Sequence, residues 1–176
     1  PRVILSVRAG SALTLALALD PQLDGARLMF AQVQSDLDRP DAARTALAAI
    51  PATSPYSETA RVLDSWLLVD QGRQDEALAA AQRNAASGTP RTKRALADMY
   101  RELDRYSDAE PIYSDLITGD PRNWRLFFAR GAARELLGRW PEAEADFRHA
   151  LELQPEHPDV LNYLGYTWVD RGEHLQ

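Results

Sequence analysis

Ala43, Ala77, Ala109 and Ala143 stand 34, 32 and 34 residues apart, each within six residues of a turn signal and each opening an apolar run. A second column, Asp38, Gly72, Asp104, Gly138 and Gly172, supplies the turns on nearly the same beat. A third, Pro21, Pro55, Pro90, Pro121 and Pro155, closes each unit. Chance alignment in an alanine-rich chain would not bring a turn column and a proline column with it. The period defines a repeated helix, turn, helix unit of about 34 residues.

Proline, glycine and aspartate serve as punctuation along the chain. They predict helices over 24–37 and 41–50, 56–71 and 75–87, 90–103 and 107–118, 124–137 and 141–153, and finally 158–171. Pro141 and the acids Asp75 and Glu76 suit first helical turns, where a missing donor is harmless and negative charge meets the positive end of the dipole. Pro111 falls about four residues into its helix, where it costs little in the first turn and would kink deeper in. Residues 3–19 are apolar enough to suggest a leader or anchor. However, Arg8 interrupts a run already short for a bilayer of about 30 Å. Residues 13–19 alternate with a strand's period, but leucine and alanine are strong helix formers. Residues 8–19 are therefore expected to form the second helix of a repeat whose first helix lies outside the sequence.

The chain has 176 residues, 45% of them apolar and 26% charged, which fits one folded array. Its net charge of -6 argues against nucleic acid as a partner, because such binding rests on a basic surface. Zero cysteine removes disulfides, thiolate metal sites and thiol catalysis. His149, His157 and His174 match no metal-site spacing, and no phosphate loop, dinucleotide fingerprint or nucleophile elbow occurs. No enzyme activity, metal or cofactor is expected.

The stretch WRLFFARGAARELLGRWPEAEADFRHALELQPEH, Trp124 to His157, resembles the tetratricopeptide repeat family. Gly131 stands at the eighth place, where a small residue lets the two helices of a repeat approach, and Ala143, Phe147, Ala150 and Pro155 follow the pattern. The neighbouring unit supplies Leu96, Ala97, Tyr100, Ala109, Tyr113 and Pro121, and the last supplies Leu161, Leu164, Gly165 and Trp168. The resemblance implies an all-α, right-handed α-solenoid of antiparallel helix pairs. Its repeats are expected at 24–57, 58–89, 90–123 and 124–157, with partial repeats at 1–23 and 158–176, as one array cut from a longer chain. Leu151 to Leu175 also resembles multi-repeat proteins of the Gram-negative envelope, some of which recruit substrates or enzymes there.

Three residues depart from the pattern. Arg134 occupies the eleventh place, usually large and apolar, while Asp64 and Arg130 occupy a place where a buried leucine is usual. Burying an unpaired charge costs several kcal/mol. These repeats are thus expected either to shift in register or to turn those side chains to solvent. The 32-residue interval also predicts a change of superhelical twist near residues 85–90.

The resemblance further implies a concave face lined by the first helix of each repeat. The partner-binding candidates there are Trp66, Arg91, Arg94, Asp98, Arg101, Arg125, Phe128, Asn162 and Tyr166. Positions 91, 94, 98 and 101 recur at three and four residues and so share a helix face. Guanidinium groups grip carboxylates in pairs, which makes an acidic segment or chain terminus a fitting ligand. The same residues also read as a solvated face with an internal Arg94–Asp98 pair, and Trp66, Phe128 and Tyr166 as packing between helices. The expected function is a non-catalytic adaptor holding a partner peptide or domain. The alternative is a self-associating spacer within a larger protein.

Overall fold

The computed structural model describes residues 2–86, 88–170 and 172. The helices are α1 (Arg2–Leu19), α2 (Asp24–Asp36), α3 (Pro40–Ala48), α4 (Ser57–Asp70), α5 (Gln74–Ala85), α6 (Pro90–Glu102), α7 (Tyr106–Gly119), α8 (Trp124–Leu136), α9 (Trp140–Leu153) and α10 (Pro158–Asp170). No strand occurs among the described residues. Helix ends fall within two residues of expectation except at α1, which begins at Arg2 rather than residue 8. Nothing between Arg2 and Arg8 breaks a helix, since neither proline nor glycine occurs there. His174 lies outside the described residues.

The turn column is a column of left-handed backbone. Asp38, Gly72, Asp104, Gly138 and Gly172 have φ of 56°, 72°, 57°, 74° and 68°. Glycine takes this conformation freely and aspartate tolerates it better than most side chains. At four of these turns the next residue, Arg39, Arg73, Arg105 or Arg139, donates its backbone N–H to the carbonyl five residues back, at 2.8–2.9 Å. This is the Schellman arrangement, which satisfies carbonyls that the helix end leaves without partners. The four arginines repeat with the period, and three of them bind an acid three residues on: Arg73 to Glu76, Arg105 to Asp108 and Arg139 to Glu142. The turn therefore ends one helix and places an acid in the first turn of the next, where the dipole favours it.

The chain forms two compact units, Pro1–Gly88 and Thr89–Gln176. In each, consecutive helices pack on one another. The first unit closes over Ala31, Ala43, Leu47, Ile50, Ala60 and Leu67. The second closes over Phe127, Trp140, Phe147, Val160 and Leu164, with Phe128 and Tyr163 packed against them. Ala43, Ala77, Ala109 and Ala143 are each 0% exposed, so the periodic alanines sit where two helices leave no room for more than a methyl. Gly131 has still less room. A Cβ there would lie 2.8 Å from the Phe147 ring and 3.2 Å from the Ala143 carbonyl oxygen. α7 runs through Pro111, whose missing donor it absorbs.

The three departures are resolved by pairing. Neither a register shift nor outward rotation occurs at Arg130: its column neighbours Leu96 and Leu164 are buried at the same place. Arg130 instead donates to both oxygens of Asp146, at 2.9 and 2.7 Å, and to Ser114 Oγ at 3.1 Å. Arg134 donates to Asp146 at 2.9 Å and to Glu110 at 2.8 Å, and Arg139 reaches the other oxygen of Glu110 at 2.6 Å. In the first unit Asp64 is partly exposed and accepts from Arg44 at 2.7 Å, across from α3 to α4. Charge at these places is tolerated because each carries its own counter-charge, with hydrogen bonds replacing those lost to water.

Candidate functional site

In the second unit the expected face draws on α6, α8 and α10. On α6, Arg91 and Arg101 are exposed, whereas Arg94 is half-buried and lies 3.5 Å from Asp98. Asp98 also accepts from Tyr113 Oη at 2.7 Å. Burial, followed by the Asp98 charge and hydrogen bond, pushes the Tyr113 phenol far up, so it stays a neutral donor. The internal pair read as one alternative from the sequence thus forms, and Asp98 is a strut as much as a surface group. Arg125, on α8, lies over the Trp124 ring at 4.7 Å, and Trp124 in turn stacks on His157 at 4.1 Å.

Between α8 and α10 opens a pocket of about 540 Å³ lined by Phe128, Glu135, Asp159, Asn162, Tyr163, Tyr166 and Thr167. Phe128 is anchored edge-on to Tyr163, with ring centroids 5.5 Å apart, and meets Phe147 behind it at 5.8 Å. Tyr163 Oη donates to Glu135 at 3.2 Å, and Thr167 Oγ1 donates to the Tyr163 carbonyl at 2.7 Å. Burial and the Glu135 charge push the Tyr163 phenol up to about 12, so its hydroxyl stays a neutral donor to that carboxylate at neutral pH. Tyr166 differs from the others. It is 77% exposed, which leaves a large ring open at the pocket's rim.

Phe128, Asn162 and Tyr166 therefore share one pocket, while Arg91, Arg94, Asp98 and Arg101 share the α6 surface of the same unit. Trp66 belongs to the first unit, where it lines a pocket of about 150 Å³ with Gln32, Ser35, Leu63 and Asp70. Asp159, Tyr163 and Thr167 are absent from the sequence-derived set. Asp159 could have been found, because it lies one period of 34 after Arg125. Tyr163 could not, since its place reads as core and only the Glu135 bond brings its hydroxyl to the pocket.

Among the described residues no group of three or more His, Cys, Asp or Glu could hold a metal, and no helix is long and apolar enough to cross a membrane. Helix pairs joined by left-handed turns and stacked through small residues define a helical-repeat protein.

The tetratricopeptide repeat profile matches residues 94–158 and 137–175. Mouse tetratricopeptide repeat protein 14 is 35% identical over 77 residues, which is 44% of this chain and 10% of that protein. The chain thus spans about a tenth of that relative's length. Among solved structures, MamA superposes with a TM-score of 0.64 over 85% of this chain and 89% of its own, at 22% identity. MamA from Desulfovibrio magneticus RS-1 does so with a TM-score of 0.68 over 86% of each chain, at 14% identity. Residues 94–175 thus match the tetratricopeptide repeat family, and the helical fold is shared with the MamA structures. The fold and the matched repeats are those of protein-interaction scaffolds in general, and tetratricopeptide repeat proteins are generally non-catalytic.

Proposed function

We propose that the chain is a non-catalytic adaptor that docks an extended peptide of a partner protein on the α6, α8 and α10 face of its second unit. The observation that carries this reading is the open Tyr166 ring beside a pocket whose walls, Phe128 and Tyr163, are already held by packing and hydrogen bonds. A rigid, pre-set wall with one uncovered aromatic at its rim is the form of a binding hot spot, because little ordering remains to oppose association.

Charge gives the face a polarity. Glu135 and Asp159 lie at the α10 end, whereas the exposed Arg91 and Arg101 lie on α6. Acidic residues of the peptide meet the α6 arginines, and an apolar or basic side chain enters the α10 pocket beside Asn162. Trp66 offers the first unit a smaller contact of its own. The likeness of residues 151–175 to envelope repeat proteins falls on α10, and it extends the reading to recruitment of substrates or enzymes in a bacterial envelope.

Random dodecamer peptides selected against the full chain supply ligands, and their affinities can be read by fluorescence anisotropy. Y166A should weaken the ligands of this face by about 30-fold, the value of a 2 kcal/mol hot spot, with N162A and R101E weakening them less. Affinities indifferent to all three substitutions would remove this face from the site.

A further inference from the structure

The first unit holds a second pocket, of about 410 Å³, enclosed by α3, α4 and α5 together with the segment between α3 and α4. Its floor is apolar, with Leu47, Ile50, Ala60 and Ala80, and its rim carries Arg44, Arg61 and Arg83. Among the described residues Asp64 is the only carboxylate in the lining, and it is taken by Arg44 Nε at 2.7 Å. Arg61 and Arg83 are exposed and have no carboxylate within ion-pair distance among the described residues. Asn84 closes one wall, its amide donating to the Arg61 carbonyl and to Ser65 Oγ, each at 3.1 Å. That bridge fixes α5 against α4 and so fixes the spacing of the two arginine stems.

This concentration of charge runs against its surroundings. Residues 1–88 contain eight arginines and no lysine against ten Asp and Glu, a net of -2. Three of those eight arginines meet around one pocket that contains a single carboxylate. The pocket shares Leu47 with the Trp66 pocket but opens on a different face of α4. On α4 it uses Ser57, Ala60, Arg61 and Asp64, while the Trp66 pocket uses Leu63, Trp66, Leu67 and Asp70. At 3.6 residues per turn the two sets lie roughly a third of a turn apart around the helix.

We propose that this pocket is a second docking site, which takes an acidic peptide segment in which an Asp or Glu stands next to an apolar side chain. The carboxylate is held by the forks of Arg61 and Arg83, whose planar donors match it in pairs. The neighbouring apolar side chain covers Leu47 and Ile50, and this floor is what favours a peptide over a bare oxyanion. The net negative charge of the unit disfavours a nucleic-acid strand, which needs a broad basic surface.

The site is independent of the face in the second unit, and one experiment separates them. The dodecamer library is selected on the full chain and on R61E/R83E, R61Q/R83Q and Y166A, with circular dichroism confirming the fold of each. The expected result is a class of peptides pairing Asp or Glu with an apolar residue, enriched on the parent and on Y166A. Both arginine double variants should deplete that class by about ten-fold or more. Absence of an acidic class overturns the proposal, and so does depletion by Y166A in place of the arginine variants. Depletion by R61E/R83E without depletion by R61Q/R83Q also overturns it, because that result reports repulsion by the new glutamates rather than loss of the guanidinium grip.

Discussion

Arg130 holds Asp146 by two parallel hydrogen bonds, 2.9 Å from Nε and 2.7 Å from Nη2, with side chains only 15% and 6% exposed. Asp146 is also bound by Arg134, so removing its carboxylate strips a counter-charge from two half-buried guanidiniums. Breaking a buried pair on one side costs about 3–5 kcal/mol, whereas exchanging both partners for apolar groups is often close to neutral. D146A should lower stability by that amount in urea unfolding, and R130L/D146L should recover most of it. Equal losses in both variants would show that packing rather than charge sets the cost.

The approach of α8 to α9 gives a second expectation. G131A places a methyl 2.8 Å from the ring of Phe147, which is itself fully buried and has nowhere to retreat, so overpacking should cost about 1–3 kcal/mol. Gly165 holds the same place one period later with nothing within 4 Å of its would-be Cβ. G165A should therefore be neutral or stabilising by up to about 1 kcal/mol through helix propensity. Thermal melts of the two variants side by side decide whether contact or propensity governs this column.

Acid should loosen the second unit through Glu110. Burial alone would raise its carboxyl, but the hydrogen bonds and charges of Arg134 and Arg139 outweigh it and hold the group below the usual carboxylate range. A folded-state value below the unfolded value of about 4.3 means that the stabilisation is complete above that pH and is lost as pH falls through the folded value. Melting temperature measured from pH 6 downward should thus decline less steeply in E110Q than in the parent. Parallel acid limbs would exclude Glu110 as a contributor.

Tyr163 should act at the opposite end of the scale. Its phenol is pushed up to about 12 from an unfolded value of about 10, so the bond to Glu135 stabilises the fold below the lower figure and is lost as pH climbs between the two. An ultraviolet titration of tyrosinate should show one late-titrating phenol fewer in Y163F than in the parent, with the still later Tyr113 unchanged in both.

Much of the fold was legible because its steric demands repeat. A methyl at positions 43, 77, 109 and 143 and a left-handed residue at 38, 72, 104, 138 and 172 are local requirements that recur with the helix pair, and periodicity exposes such requirements directly. Charge pairing was not legible. Arg130 and Asp64 read as misfits, since their partners Asp146 and Arg44 lie on other helices and no periodic column links them. The turns are visible as a column, but neither their left-handed backbone nor the role of the arginine that follows four of them is, as a charged residue after a turn reads as ordinary solvation. The sequence grouped Arg94 and Asp98 on one face. It could not show that Tyr113 makes Asp98 a strut.

Hydrogen exchange of the full chain, with and without a saturating selected dodecamer whose binding Y166A weakens, tests the docking face most directly. The amides of α8 and α10 around Phe128, Glu135, Asn162 and Tyr166 should slow on binding, together with those of α6 near Arg101. Slowing confined to the α7 and α9 helices, with α8 and α10 unchanged, would contradict the proposed face.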